Sequence, residues 1–348
     1  QATLDKLAGE YADELANLGV RVSNLEKKVG NLYWSGDARM RYIASSSDKV
    51  ADKYDGRIRL NVKGQVNDAT YVQGQFVNNM NFKDEASSNT TMAQIYVNHN
   101  FNKNVAVRLG RQPIAFGNQG GWLYNGLEGY DGAQASYNNG KLSLTTGFGQ
   151  LNASDFTDET DRDGNVISYG VTGTDMYFAK GAYDFGFAKL GADYVKFQGD
   201  TNSTDHYVAG DELYGINLNI PVQKFNVFGE YWKNTNAADK YDTAWNAGLS
   251  YGKADWKKAG TWDLSVAYND VDYNVYFGGG TWHNDMLKNL SAGYLNAYNL
   301  TFWTAIANVT LQKNVQMHAE YAFAADAEKS NNGADPDDSW TVSLNYKF

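Results

Sequence analysis

Basic residues alternate with apolar residues in two segments near the start of the chain. In YWSGDARMRY, Arg39 and Arg41 lie two positions apart, and in GRIRLNVKGQV the residues Arg57, Arg59 and Lys63 share one parity. Side chains of one parity face the same side of a β-strand. The spacing therefore predicts a basic face on two neighbouring strands, whose electric field would act on nearby water and solutes.

Further charged residues follow in the middle of the chain. Arg108 continues the basic register, while Arg111 lies one position off it. The carboxylates of Glu128 and Asp131 stand at the end of a glycine-rich stretch, 114–130, whose glycines would permit a tight path. An acidic loop opposite a basic wall would produce a transverse field that orders water and disfavours apolar solutes.

A plainer role for the arginines is also open. They could solvate one face of the strands and pair with Asp37 or Asp55. Ion preference stays undetermined at this point, because the wall is basic whereas the whole chain has a net charge of −10. The net acidity argues against general nucleic-acid binding.

Catalytic and metal-binding signatures are weak. His318 shares the parity of Glu320, so the two could act as a base pair, but polar faces bring such residues together by chance and no enzyme is predicted. Asp161 and Asp163 resemble calcium ligands at alternate positions, yet Gly170 stands where the loop needs a bidentate Glu, so no metal site is predicted. The chain lacks cysteine, and no cofactor is expected.

Apolar and polar residues alternate in many segments from Trp34 to the end of the chain. Examples are TYVQGQF, AQIYVNH, YGINLNI and TWDLSVAY, and we count about 16 such strands. No stretch approaches the ~20 consecutive apolar residues of a spanning helix, which excludes a helical membrane protein. The pattern predicts an all-β membrane protein, an antiparallel up-and-down transmembrane β-barrel of about 16 strands.

Short and long connections alternate between the predicted strands. Short links include Asn67-Asp68 and 221–224, whereas 112–131 and 269–299 are long. This alternation is typical of outer-membrane barrels, in which the short turns lie in the periplasm. An even number of strands places both ends of the barrel on that side.

Residues 1–32 follow a different period. Apolar residues recur at spacings of four and three, the heptad pattern of a coiled coil. The segment RVSNLE resembles the Arg-apolar-x-x-apolar-Glu signature of three-stranded parallel coiled coils. We predict a periplasmic trimeric stalk; the alternative is a single amphipathic helix packed on its own domain. The predicted trimerisation residues are Leu15, Leu18, Arg21, Val22, Leu25, Glu26 and Val29.

The chain ends on the alternating strand SWTVSLNYKF. Tyr346 and the terminal Phe348 resemble the last strand of bacterial general porins, which the outer-membrane assembly machinery reads as an insertion signal. The resemblance covers residues 33–348 and implies a homotrimeric, water-filled diffusion channel for small hydrophilic solutes and ions. It also implies that the third long loop, about 112–131, folds inward as a constriction. The charged residues assigned to that constriction are Arg39, Arg41, Arg57, Arg59, Lys63, Arg108, Arg111, Glu128 and Asp131.

The stalk resembles instead the OmpM-type porins of diderm Firmicutes, in which an upstream surface-layer-homology (SLH) domain grips the cell wall. This resemblance implies that the outer membrane is tethered to peptidoglycan or a secondary cell-wall polymer. Because the chain begins at Gln1, we expect a signal peptide or a larger N-terminal piece before it. The rivals are a mainly structural tether and a sugar-selective channel, with Trp122, Tyr124 and Tyr130 as an aromatic track. Other aromatic residues are predicted to form girdles at the membrane surfaces: Trp34, Tyr42, Trp245, Tyr251, Trp262, Tyr268, Trp340 and Tyr346.

Overall fold

A computed structural model describes most of the predicted barrel and little of the predicted stalk. The described residues are 11–12, 14, 18, 30–46, 52–82, 88–117, 122–151, 159–160, 166–168, 175–198, 212–237, 240–276, 286–290, 297–328, 330 and 333–348.

The described chain is built almost entirely of β-strands. The first nine are β1 (Leu32–Ser45), β2 (Lys53–Asn67), β3 (Thr70–Asn81), β4 (Ser88–Asn100), β5 (Val105–Phe116), β6 (Tyr124–Asn138), β7 (Leu142–Leu151), β8 (Glu159–Thr160) and β9 (Val166–Ser168). The others are β10 (Asp175–Asp184), β11 (Lys189–Gln198), β12 (Glu212–Val222), β13 (Phe225–Asn234), β14 (Thr243–Gly252), β15 (Trp262–Asp272), β16 (Asn299–Gln312), β17 (Val315–Glu328) and β18 (Ser339–Lys347). A short 3-10 helix spans Met286–Asn289.

Sixteen of these strands close into one antiparallel barrel, which confirms the predicted number. Each barrel strand pairs with its neighbours in the chain, and β1 pairs with β18 to close the ring. The strands β8 and β9 form a separate two-stranded sheet. Around the barrel, one end carries short turns, with 253–261 as a longer exception, and the other end carries the longer loops, such as 152–174 and 273–298.

The short turns share a local device. In four of them, an Asn or Asp side chain accepts the backbone N–H two residues ahead, which fixes the reversal of the chain. The pairs are Asn67 with Ala69, Asn102 with Asn104, Asn138 with Gly140, and Asp184 with Gly186. These turns set the register of the hairpins that they join.

The register separates a polar inner face from an apolar outer face. Residues that are directly opposite on paired strands point to the same side of a sheet. Arg39 pairs with Arg57 on the inner face, whereas Met40 pairs with Leu344 and Tyr42 with Val342 on the outer face. The outer face of a single strand therefore shows apolar residues at every second position, as a membrane-spanning barrel requires.

Aromatic side chains form two groups on the outer face. Near the loop end, the rings of Trp245, Tyr268 and Trp303 contact one another in sequence, with centroids 5.4 and 5.3 Å apart. Near the turn end, Tyr251 lies between Phe225 and Trp262, at 4.9 and 5.6 Å. Two such levels are expected where a barrel meets the two surfaces of a bilayer.

The seam of the barrel is closed by the last residue of the chain. The N–H of Gly36 donates to the carbonyl oxygen of Phe348 at 2.7 Å, and the N–H of Phe348 donates to the carbonyl oxygen of Gly36 at 3.0 Å. The ring of Phe348 covers the Cα of Gly36 and is largely exposed on the outer face. The terminal residue is thus part of the ladder between β18 and β1.

A buried apolar cluster fills part of the barrel interior. Phe116, Trp122 and Tyr130 contribute from the β5–β6 hairpin, and Met286 and Leu287 contribute from the 3-10 helix. Other members come from the inner faces of β7 and of β10 through β17, and Val275 and Leu290 lie just after β15 and the 3-10 helix. The interior is therefore not an open cylinder: protein occupies the side of the lumen along these strands.

The predicted stalk falls almost wholly outside the described residues. Of its seven trimerisation residues only Leu18 is described, as a helical and exposed residue; Leu15, Arg21, Val22, Leu25, Glu26 and Val29 are not described. Leu32 belongs to β1, so the barrel begins one residue earlier than predicted. Within the described ranges, no helix has the length and apolar character needed to cross a membrane.

Candidate functional site

Four arginines and two aspartates form a compact cluster on the inner face of β1 and β2. The strand register places Asp37 opposite Arg59, and Arg41 opposite Asp55. Between these two pairs, Arg39 lies opposite Arg57. The alternation seen in the sequence therefore brings the basic residues together as predicted, and it also brings in Asp37 and Asp55 as their partners.

Each aspartate is held closely by one arginine and loosely by a second. Arg59 donates from Nε to both carboxylate oxygens of Asp37, at 2.9 and 2.8 Å. Arg41 likewise donates from Nε to both oxygens of Asp55, at 3.0 Å, and also from Nη2. The contacts of the other two arginines are longer: Arg57 Nη2 lies 3.4 Å from Asp37, and Arg39 Nη2 lies 3.6 Å from Asp55. The cluster keeps two positive charges in excess.

Two more basic residues of the inner face rest on aromatic rings. Arg108 donates from Nε to Oδ1 of Asn98 at 3.1 Å, and its guanidinium lies 5.0 Å from the ring centre of Tyr96. The ammonium of Lys63 lies 4.3 Å from the ring centre of Tyr71. These contacts stabilise the cations without neutralising them.

The structure corrects the predicted position of Arg111 and Asp131. Arg111 pairs with Ile95 on β4 and with Asp131 on β6. Arg111 and Asp131 therefore lie on the outer face, whereas Arg108 lies on the inner face. Arg111 donates from Nε and Nη2 to the two oxygens of Asp131, both at 2.7 Å. The prediction that this pair lines a pore is wrong, because β6 begins at Tyr124 and leaves Asp131 in mid-strand with outward parity. The side chain of Glu128 lies outside the described residues.

The β5–β6 hairpin crosses the lumen. Its tip is shorter than the predicted loop, since only 117–123 lies between the two strands. Phe116 contacts the rings of Phe178 on β10 and Trp232 on β13, with centroids 5.9 and 6.4 Å apart. Trp122 donates from Nε1 to Oδ1 of Asn269 on β15 at 3.0 Å. The hairpin thus reaches the far wall and narrows the interior.

Acidic residues lie on the wall that faces the arginines. Around the ring, β11 is eight strands from β1, and Asp193 of β11 accepts the N–H of Gly117 at 3.1 Å. Gly117 has φ +87, and a Cβ there would lie 2.5 Å from Oε2 of Glu230, so this close approach requires glycine. Lys180 lies opposite Asp193 in the register and donates to the carbonyl oxygen of Ala115.

This acidic wall was not predicted from the sequence. Asp193 and Glu230 are single acidic residues within the strands KLGADYVKFQ and FNVFGEYWKN. Their inward parity, shared with Val195 and Trp232, was a usable signal, but nothing in the sequence connects them to the hairpin tip. The transverse electric field was predicted between a basic wall and an acidic loop. Among the described residues, its acidic side is instead the barrel wall that carries Asp193 and Glu230.

The aromatic residues proposed as a sugar track are unavailable to a solute. Trp122, Tyr124 and Tyr130 each have 0% exposure, because they pack within the apolar cluster. A sliding track needs exposed ring faces. The structure therefore removes the residues on which the sugar-selective alternative depended.

The remaining candidates are the His318–Glu320 pair and the calcium ligands Asp161 and Asp163. His318 lies on the inner face, with Nδ1 2.9 Å from Oδ1 of Asn308 and Nε2 3.5 Å from Oε2 of Glu320. Asp161 and Asp163 lie outside the described residues. In the described part of the chain, no group of three or more His, Asp or Glu side chains could hold a metal ion.

Together, the closed ring, the charged inner face and the inward hairpin define the class of fold, that of the porins. OprB of Pseudomonas putida, in its high-pH structure, superimposes with a TM-score of 0.61 at 10% identity, over 95% of this chain and 96% of that one. A mutant of the Rhodopseudomonas blastica porin gives 0.57 at 9% identity, over 91% of this chain and all of the other. No family model and no curated protein matches the sequence. The likeness is one of fold.

Proposed function

We propose that this protein is an outer-membrane porin, a water-filled diffusion channel for small hydrophilic solutes and ions. The observation that carries the proposal is the combination of an apolar outer face with a charged inner face, narrowed by the β5–β6 hairpin. A diffusion channel needs no catalytic group; it needs a narrow wet section whose charges bias what enters. Arg39, Arg41, Arg57, Arg59, Lys63 and Arg108 supply that bias, with Asp193 and Glu230 opposite.

The oligomer and the cell-wall connection are further parts of the proposal. The heptads of residues 1–32 support a trimeric periplasmic stalk, which would join three barrels below the membrane. The start of β1 and the end of β18 both lie at the short-turn end, the side from which such a stalk would extend. An SLH domain upstream would tether the membrane to peptidoglycan or a secondary cell-wall polymer, and a mainly structural role is the second candidate.

Solute passage is tested by the swelling of proteoliposomes in sugars of increasing size. We expect fast swelling with monosaccharides, slower swelling with disaccharides and little with trisaccharides, because the hindrance rises as a solute approaches the width of the narrow section. Liposomes that contain the heat-denatured protein are the control. Equal rates for folded and denatured protein would contradict a channel, and preferential uptake of one sugar over another of equal size would favour a selective one.

A further inference from the structure

We infer that the open path through this barrel prefers small anions, and that Arg39 and Arg57 together form the place where an anion binds during passage. The inference rests on the proposed channel function and adds the class of solute. Four observations carry it: where the apolar cluster lies, which charges line the remaining wall, how those charges are paired, and how the opposite charges are covered.

The apolar cluster leaves one sector of the wall uncovered. Every barrel strand from β5 to β17 contributes a residue to the cluster, whereas, within the described residues, β18 and β1 to β4 contribute none. The middle of the inner face of that second group is mainly polar, apart from Val77 and Tyr96. Its polar residues beside the arginines are Gln75, Asn79, Gln94 and Asn98. Water and solutes therefore pass along β18 and β1 to β4.

The charges of this sector are mainly positive. On the described inner faces of β18 and β1 to β4, the acidic residues are Asp37 and Asp55. The basic residues of the same faces are Arg39, Arg41, Lys53, Arg57, Arg59, Lys63 and Lys347. An ion in the narrow section is thus surrounded by excess positive charge, which lowers the energy of an anion and raises that of a cation.

Among the four arginines of this sector, Arg39 and Arg57 are the least compensated. They are direct neighbours across the strands, and their nearest carboxylate contacts are the long ones, 3.6 and 3.4 Å. Nε of each is buried without a hydrogen-bond partner among the described atoms. Two adjacent guanidiniums repel each other, and a phosphate or carboxylate placed between them would relieve that repulsion and accept hydrogen bonds from both.

The acidic groups across the lumen are covered. Asp193 and Glu230 are 7% and 5% exposed, because the hairpin tip lies over them. Asp193 accepts from Gly117 and faces Lys180, while Glu230 accepts from Nε1 of Trp232 at 3.2 Å. These partners weaken the negative electric field that the two carboxylates exert on the solute path. The arginines face the path directly.

The test is the reversal potential of the folded protein in a planar bilayer with a KCl gradient, repeated after addition of inorganic phosphate. We expect a chloride-to-potassium permeability ratio above unity and a phosphate-dependent fall in chloride current. R39Q and R57Q should each lower the ratio, and the double variant should lose the phosphate effect. R111Q is the matched control, since it removes an arginine from the outer face and should leave both readings unchanged.

The outcomes separate this inference from the proposed function. A conducting channel that prefers potassium, or one whose phosphate effect persists in R39Q/R57Q, overturns the anion path while the porin stands. An absence of conductance from folded native protein overturns both. Because the native protein alone decides the sign of the preference, the inference is tested even when a variant fails to fold.

Discussion

Replacing Trp122 with alanine is expected to widen the channel. The Trp122 side chain is fully buried at the hairpin tip and bonds to Asn269 on the far wall. Truncating a buried Trp to Ala costs about 3–5 kcal/mol. Because 1.4 kcal/mol corresponds to a factor of ten, the equilibrium between docked and undocked hairpin should shift by at least about 100-fold. Single-channel conductance should rise above the native value, and larger sugars should enter proteoliposomes.

Trp303→Ala is the matched control for this prediction. Trp303 is 40% exposed on the outer face, in contact with Tyr268, and it lies away from the lumen. The same truncation there should weaken the aromatic belt but leave conductance and solute size limit unchanged. An unaltered conductance in folded Trp122→Ala protein would contradict the assignment of the hairpin as the narrow section.

Gly36→Ala is expected to hinder closure of the barrel. A Cβ at Gly36 would lie 2.6 Å from the carbonyl oxygen of Arg59 and 2.6 Å from the ring of Phe348. The first clash is with backbone and cannot be relieved by a side-chain rotation, so β1 or β18 must shift. Overpacking of this kind costs about 1–3 kcal/mol, and here it acts on the seam that the last residue completes. The folded fraction should fall, as measured by heat-modifiable mobility on electrophoresis.

Gly64→Ala is the control on the neighbouring strand. Its nearest neighbour would be a side-chain carbon of Leu32 at 3.6 Å, an ordinary contact. Both changes add one methyl group to a strand glycine, so a difference between them measures the clash and not the change in residue type. Equal folded fractions for the two variants would contradict the prediction. They would show that β1 and β18 can shift at Gly36 and Phe348 without hindering closure of the barrel.

The arginine cluster was predictable because it depends on local periodicity. Once the strand period is two, Arg39 must share a face with Arg41, and Arg57 with Arg59. Antiparallel pairing of consecutive strands then brings these two faces together. The number of strands and the alternation of turns and loops follow from the same reasoning. Those features need only the chain's local alternation and the physical preference of strands for one wet and one apolar side.

The errors arose where an assignment depended on distant contacts. Asp131 was taken as the end of a loop, but pairing with β5 extends β6 back to Tyr124 and turns Asp131 outward. Trp122 and Tyr124 suggested exposed rings, yet they are buried by strands up to 147 positions away in the chain, as the bond from Trp122 to Asn269 shows. Asp193 and Glu230 became part of the site only because Gly117 reaches them. The odd or even position of a residue along a strand determines which face of the sheet it lies on. It does not determine which residue lies opposite it across the barrel.

Single-channel conductance in a planar bilayer, measured with the purified and folded full chain, shows whether this barrel is an open channel. We expect a steady conductance through a water-filled pore that closes in three equal steps, one for each barrel of a trimer. Closure in a single step would contradict the trimer and leave the channel. A barrel shown to be folded by its heat-modifiable mobility, yet silent across the bilayer, would contradict the porin itself.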